Sequence, residues 1–274
     1  MTRILDFNGR EADRTVTVAS IAALKGTGHQ YTQVTAGTEE EAAAAQAAGI
    51  EMVVCLAAAV PEVRRGASRV FVTAAIDFGG EVTPDDLLAT AFRSLSAGAD
   101  AVITARRLDA VRLLAAEGVP VMGHLGFVPK RSNQLGGVRI VGRDAVEATA
   151  LWRQFQELED AGAFAVECEL VAAPVLAQIT PRTGMATISL GSGRDADVMF
   201  LFQSDVVGES PRRPRHARAY GDVASLQRRI VEERVRALTA FRADVLSGSF
   251  PDDSEVGRID PSELARFVES LDPS

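Results

Sequence analysis

Eight short apolar runs, each set off from the next by a polar or helix-patterned stretch, constrain the fold of this chain more than any other feature. They lie near Tyr31–Ala36, Met52–Leu56, Val70–Ile76, Ala101–Thr104, Val119–Gly123, Phe164–Glu169, Ala186–Leu190 and Met199–Phe202. Short continuous apolar runs alternating with helical periodicity are the mark of repeated βα units and a parallel sheet. Eight strands, each followed by a helix, predict a closed (β/α)8 TIM barrel. A doubly wound open sheet would use fewer strands and carry a glycine-rich phosphate loop after the first, and no G-x-G-x-x-G follows strand one.

Helix-start signals agree with that parse. Thr83-Pro84-Asp85-Asp86 places a cap before a proline at the first helical position of a helix running toward Ala97. Asp260-Pro261-Ser262-Glu263 repeats the logic for a short terminal helix, with Asp260 capping and Glu263 reaching back. A helix over Val16–Leu24 is expected to close the lower end of the barrel, and a long one over Val223–Val245 to follow strand eight. Glu39–Ala48 reads as an alanine-rich helix. The expectation is a single domain over 1–274, with an N-terminal arm (1–12) and a C-terminal helical extension (252–274) suited to subunit contacts or mobility.

Composition narrows the function. With 47% hydrophobic residues the chain can bury a large core, and its formal charge of -8 argues against a nucleic-acid surface, which needs an excess of Lys and Arg. The apolar runs fall short of the roughly 20 residues of a membrane span, and Met1-Thr2-Arg3 leads into no signal-peptide core. A cytoplasmic protein acting on a small molecule is expected. Cys55 and Cys168 sit in interior strands and read as buried thiols.

In a TIM barrel, reactive groups gather at the carboxyl ends of the strands. His124 ends strand five, and Glu169 ends strand six with Glu167 one layer deeper on the same face. A glutamate there can move a proton beside a carbonyl, or can pair with an arginine for structural reasons. A second inward carboxylate calls for an arginine partner or a shared proton. Arg106 and Arg107 follow strand four, where a guanidinium can bind a carboxylate or simply face solvent. Asp77 lies two residues beyond Ala75, so on an extended strand both face the same way. Ser192 and Gly193 lie in the turn Gly191-Ser192-Gly193 after strand seven, where backbone can approach a ligand. His29 and His216 read as surface residues, and the basic stretch 211–218 as a solvated or intersubunit loop, with an anion clamp as the other reading. No Ser-His-Asp order, C-x-x-C, H-E-x-x-H or Walker loop is present.

The stretch from Val119 through Gly123-His124-Leu125-Gly126-Phe127-Val128-Pro129, with Gly136-Gly137, Gly142-Arg143, Ala161-Gly162-Ala163 and Leu246-Ser247-Gly248-Ser249-Phe250-Pro251, resembles the ketopantoate hydroxymethyltransferase family. That family falls within the phosphoenolpyruvate mutase/isocitrate lyase-like superfamily. The resemblance implies aldol-type addition of a one-carbon unit from methylenetetrahydrofolate to a branched 2-oxo acid. It also implies Mg²⁺ organised by two aspartates and a glutamate, and a homo-oligomer. It assigns the acid/base role to Glu169 and substrate contact to His124. At the metal positions this chain carries Ala57 (beside Ala58), Ala75 and Ala105, and Ile103 stands where a lysine accompanies the glutamate. The chain thus reads as a divergent member without the metal ligands, and no residue is assigned to a metal. Glu169 is the catalytic candidate, with His124, Arg107, Arg106, Asp77, Ser192 and Gly193 as substrate-binding candidates. The expected chemistry is carbon-carbon bond formation or cleavage on a small 2-oxo acid without a metal. The alternative is a noncatalytic barrel serving as a ligand-binding or regulatory subunit.

Overall fold

A computed structural model describes residues 3–76 and 80–271. Eight parallel strands close into a barrel in sequence order: β1 Tyr31–Thr35, β2 Met52–Leu56, β3 Phe71–Ala75, β4 Ala101–Ile103, β5 Val121–Gly126, β6 Ala165–Glu169, β7 Ala186–Leu190 and β8 Val198–Leu201, with β8 pairing back onto β1. The (β/α)8 expectation holds. Among the described residues no helix is long and apolar enough to cross a membrane.

The helices at the barrel's flank begin where the sequence supplies a cap. Thr38 opens α2 (Glu39–Ala47) and Thr83 opens α4 (Pro84–Ser96), each in a capping box that satisfies first-turn N–H groups. α3 (Val60–Gly66), α5 (Leu108–Ala116), α6 (Ala145–Asp160) and α7 (Ala173–Ile179) follow β2, β4, β5 and β6. α1 (Val18–Ala22), capped by Thr17, is shorter than the helix expected over 16–24. Its flanks still do the expected work: Val16, Ile21 and Leu24 pack with Met52, Phe71 and Ala101 and plug the amino-terminal end of the barrel. A helix after every strand is not found. β7 passes to β8 through residues 191–197, where Gly191 and Gly193 adopt positive φ and the Asp197 carboxylate accepts from Thr187, so a tight polar loop replaces the helix. After β8 comes only the short α8 (Gln203–Val206).

Inward side chains stack in layers drawn alternately from odd and even strands, as the strand registers dictate. A floor of Gln33, Thr73, Met122 and Ile188 is followed by Val54, Ile103, Glu167 and Phe200. Above these come Thr35, Ala75, His124 and Leu190, and at the mouth Leu56, Ala105, Glu169 and Phe202. The second core lies outside the sheet, where Leu87, Leu114, Phe155 and Leu176 of the helices meet the outward strand residues. At the amino-terminal end Asp100 accepts from Arg14 (2.8 Å), Arg64 (2.7 Å) and the Val72 amide (2.8 Å), a half-buried ion network between β3 and β4.

The N-terminal arm folds back through a Leu5–Glu11 bridge, and Phe7 stacks against Phe92 of α4. The chain divides into two compact units, Met1–Gly221 and Asp222–Ser274. The second holds α9 (Val223–Ser247), two residues longer than expected, and α10 (Pro261–Leu271). Asp260 caps α10 through Ser262, but Glu263 does not reach back to it; its carboxylate pairs with Arg266 one turn on (2.9 Å). A nearby guanidinium outcompetes an exposed cap N–H.

Candidate active site

The carboxyl ends of β5 and β6 are locked together by backbone. The amide of Phe127 donates to the carbonyl of Glu169 at 2.7 Å, which draws the β5 exit loop over the end of β6. Gly126, at φ 87°, sits where any Cβ would overlap the Glu169 carbonyl oxygen, so the backbone approach depends on glycine. Leu170 follows Glu169 in the left-handed region at φ 50°, a strained conformation for a branched side chain and one that concentrates at functional sites. Ser192 fixes the same corner from β7. Its hydroxyl donates to the Cys168 carbonyl (2.6 Å) and accepts from the Val171 amide (2.8 Å).

Three ionisable side chains meet at this corner. His124 Nε2 lies 3.2 Å from Glu169 Oε2 and 3.1 Å from the Phe127 carbonyl, while its other nitrogen, Nδ1, is 4.0 Å from Glu167 Oε1. The ring therefore stands between the carboxylates, one layer above Glu167 and one below Glu169. Burial pushes Glu167 up to about 7, against the pull of His124 and with the push of Glu169. Burial pulls the His124 imidazolium down. The hydrogen bond to Glu169, the charges of Glu167 and Glu169, and the Phe127 carbonyl outweigh it, and His124 ends above the ordinary histidine value. Among the described residues no arginine pairs with Glu167; of the two readings of an inward second carboxylate, the geometry favours a histidine-shared one.

These side chains form one wall of a cavity of about 460 Å³ at the mouth of the barrel. The opposite wall is apolar and includes Leu56, Ala75, Ile103 and Ala105. Of the expected contacts, His124 and Glu169 line the cavity and Arg106, Arg107, Ser192 and Gly193 do not. Arg106 turns toward the carbonyls of Glu81 and Val82, and Arg107 extends into solvent against Asp109 (3.4 Å). Ser192 is buried behind β6, and Gly193 presents its carbonyl to the Ser189 hydroxyl. Asp77 lies outside the described residues. His216 is half-buried and packs beside Gly191, whereas His29 is exposed. Cys55 and Cys168 are buried free thiols, with Cys55 pushed up to about 12 by burial.

Sequence reasoning missed Lys130, which lines the cavity. Its signal was position: it stands immediately past the Phe127-Val128-Pro129 exit of β5. It also missed Gln33 and Thr73, polar residues in apolar runs whose side chains face the barrel axis.

Among the described residues the donor set does not suit Mg²⁺. That ion takes oxygen ligands in near-octahedral geometry; of the positions implied for it, Ala75 and Ala105 present methyl groups to the cavity, and Leu56 rather than Ala57 lines it beside them. On the facing wall, one ligand atom from each of His124, Glu167 and Glu169 lies within 4.8 Å of the others, close enough in distance for one ion. Yet the imidazole presents different nitrogens to the two carboxylates, which suits proton sharing better than chelation, and nitrogen is a poor partner for so hard a cation.

Comparison with known proteins accords with this geometry in fold. The 3-methyl-2-oxobutanoate hydroxymethyltransferase of Thermobifida fusca (strain YX) is 33% identical over 271 residues, covering 89% of this chain and 94% of that protein. The enzyme of that name from Chloroflexus aurantiacus (strain ATCC 29366 / DSM 635 / J-10-fl) is 36% identical over 213 residues, covering 76% and 73%. Among solved structures, phosphonopyruvate hydrolase in complex with oxalate and Mg++ shares the fold with a TM-score of 0.51 at 14% identity, covering 93% of this chain and 99% of that one. The profile of ketopantoate hydroxymethyltransferase matches residues 55–253, from the end of β2 past α9. With the expected barrel, the β5–β6 corner and this match in hand, the chain belongs to the ketopantoate hydroxymethyltransferase family.

Proposed function

We propose that this barrel makes or breaks a carbon-carbon bond beside the carbonyl of a small 2-oxo acid, in the manner of an aldol-type hydroxymethyltransferase, and that it does so without a metal. Glu169 removes or returns the proton on the carbon next to the ketone. His124 Nε2–H, which lies between Glu169 and the Phe127 carbonyl, turns to the ketone oxygen as negative charge builds there. A donor placed at that atom is the electrostatic device that such a reaction needs. The one-carbon unit would come from methylenetetrahydrofolate, as the family resemblance implies. Lys130 is the one lysine or arginine among the described residues lining the cavity, and it would meet the carboxylate of the acid.

The observation that carries this reading is the His124–Glu169 pair, 3.2 Å apart at the carboxyl end of the barrel and open to the cavity. The apolar wall formed by Leu56, Ala75, Ile103 and Ala105 favours a second reading, a binding subunit that holds a ligand without turning it over. Deuterium incorporation at C3 of 3-methyl-2-oxobutanoate, followed by NMR in D₂O with and without Mg²⁺, separates the two. Exchange that persists in chelator and falls at least about 100-fold in Glu169→Gln supports proton transfer by this carboxylate. Binding without exchange supports the subunit reading, and exchange that requires Mg²⁺ overturns the metal-independent one.

Homo-oligomerisation belongs to the same proposal. Leu226, Ile230, Leu238, Phe241 and Val245 recur along α9 at helical spacing and are all exposed, a stripe that a second copy of the chain would cover.

A further inference from the structure

We infer that Glu167 is a positioning residue that keeps His124 in its imidazolium form beside Glu169, so that an organic cation stands at the reacting carbonyl in place of a metal ion. The inference rests on the proposed carbonyl chemistry for its purpose, and on geometry for its substance.

Glu167 is an expensive residue where it stands. The other side chains of its layer are Val54, Ile103 and Phe200, and the residue is only 6% exposed. A carboxylate in such surroundings is retained in its charged form only against a partner. His124 is the partner, from the neighbouring strand. The register pairs His124 with Glu167 and Gly126 with Glu169, so the two carboxylates bracket the imidazole from below and above. Nδ1 faces the lower and Nε2 the upper. The remaining titratable groups on the cavity, among the described residues, are Cys55, whose thiol burial holds neutral, and Lys130. Neither supplies negative charge to the ring. At 4.0 Å the Glu167 contact acts through charge or a bridging water rather than a direct hydrogen bond.

Two carboxylates around one imidazole leave the cluster with net negative charge when all three are ionised, and that is why the cation is held rather than released. Glu169 alone would share its charge between the ring and the substrate proton it accepts. Once Glu169 is protonated during the reaction, its support for the imidazolium is lost. Glu167 is not the acceptor of the substrate proton, so its contact with the ring is unchanged through that step. The step balances without a redox partner: the proton passes from carbon to a Glu169 oxygen, the C–H pair becomes the enolate double bond and the carbonyl π pair moves to oxygen, while the ring keeps its protons and stabilises the enolate oxygen.

The test is the protonation state of His124, read from side-chain ¹⁵N shifts of histidine-labelled protein without ligand. In the wild type the imidazolium is expected to persist above the ordinary histidine range. In Glu167→Gln its midpoint is expected to fall by about one pH unit or more, and Glu167→Asp, which restores the charge, should recover most of the shift. The catalytic counterpart is a fall in kcat of about 10-fold or more for Glu167→Gln with KM little changed, and an alkaline limb that moves to lower pH. A neutral His124 in the wild type at pH 7 overturns the inference, as does a midpoint indifferent to Glu167→Gln. Should Glu167→Gln fail to fold, the wild-type titration and Glu167→Asp still decide it. Because the titration needs no substrate, it fails or succeeds independently of the proposed reaction.

Discussion

Gly126 and the carbonyl oxygen of Glu169 are in such close contact that one added methyl group would occupy the same space. Gly126→Ala must therefore separate β5 from β6 where the acid/base pair is assembled, and must also hold alanine at φ 87°. The expected outcome is a stability loss of about 2 kcal/mol or more, seen as a lowered midpoint in urea, together with loss of proton exchange. The same substitution at Gly248, which is also left-handed but has open space around it, should cost about 1 kcal/mol and leave exchange intact.

The barrel was legible in the sequence because parallel strands covered on both faces leave continuous apolar runs, and seven of the eight strands end within a residue of the expected position. β5 is the exception, running on to Gly126 because Gly123, His124 and Gly126 pair with β6 despite their poor strand propensity. His124 and Glu169 were legible through their place at strand ends. Arg106 and Arg107 were misjudged because side-chain direction past the last ladder residue is set by the loop: Arg107 is the N-cap of α5, and Arg106 is claimed by carbonyls at 81 and 82. The lone orientation of an imidazole between two carboxylates has no one-dimensional signature.

Rising pH should weaken the fold in a window set by this cluster. Glu167 titrates at about 7 in the folded chain against an ordinary 4.5, so between those values the folded state binds more protons than the unfolded one. Stability from this group is full below about 4.5 and is lost as pH climbs through 7, by about 3 kcal/mol at most. The raised His124 acts in the same direction at higher pH. Thermal melts from pH 5 to 8 should show a smaller decline for Glu167→Gln than for the wild type; equal slopes would remove Glu167 as the source.

Asp100 is predicted to matter for stability and not for the site. Its carboxylate serves Arg14, Arg64 and the Val72 amide at the amino-terminal end of the barrel. Asp100→Ala leaves the Val72 amide without its acceptor and the Arg14 and Arg64 guanidinium groups with backbone carbonyls alone, at a cost of about 2–3 kcal/mol. Denaturant midpoints should fall accordingly, while ligand affinity, measured by calorimetry well below the new midpoint, should be unchanged.

Gln33 and Thr73 are expected to hold internal water. Both are buried in the barrel floor, and Gln33 Nε2, Gln33 Oε1 and Thr73 Oγ1 find no partner among the described residues. Bare polar groups there would cost several kcal/mol, so a high-resolution crystal structure should contain ordered solvent bridging them. Thr73→Val should then change stability by less than about 1 kcal/mol if the water is lost with its partner. A dry floor in such a crystal would refute the expectation.

The stacked interior also divides the labour of the barrel by hemisphere. Among the described residues the imidazole and both carboxylates on the cavity sit on two adjacent staves, β5 and β6, while the arc from β2 to β4 ends in Leu56, Ala75 and Ile103. Drift in that arc can reshape which molecule is admitted while leaving the proton machinery standing. Selectivity and reactivity in this lineage can therefore change one at a time.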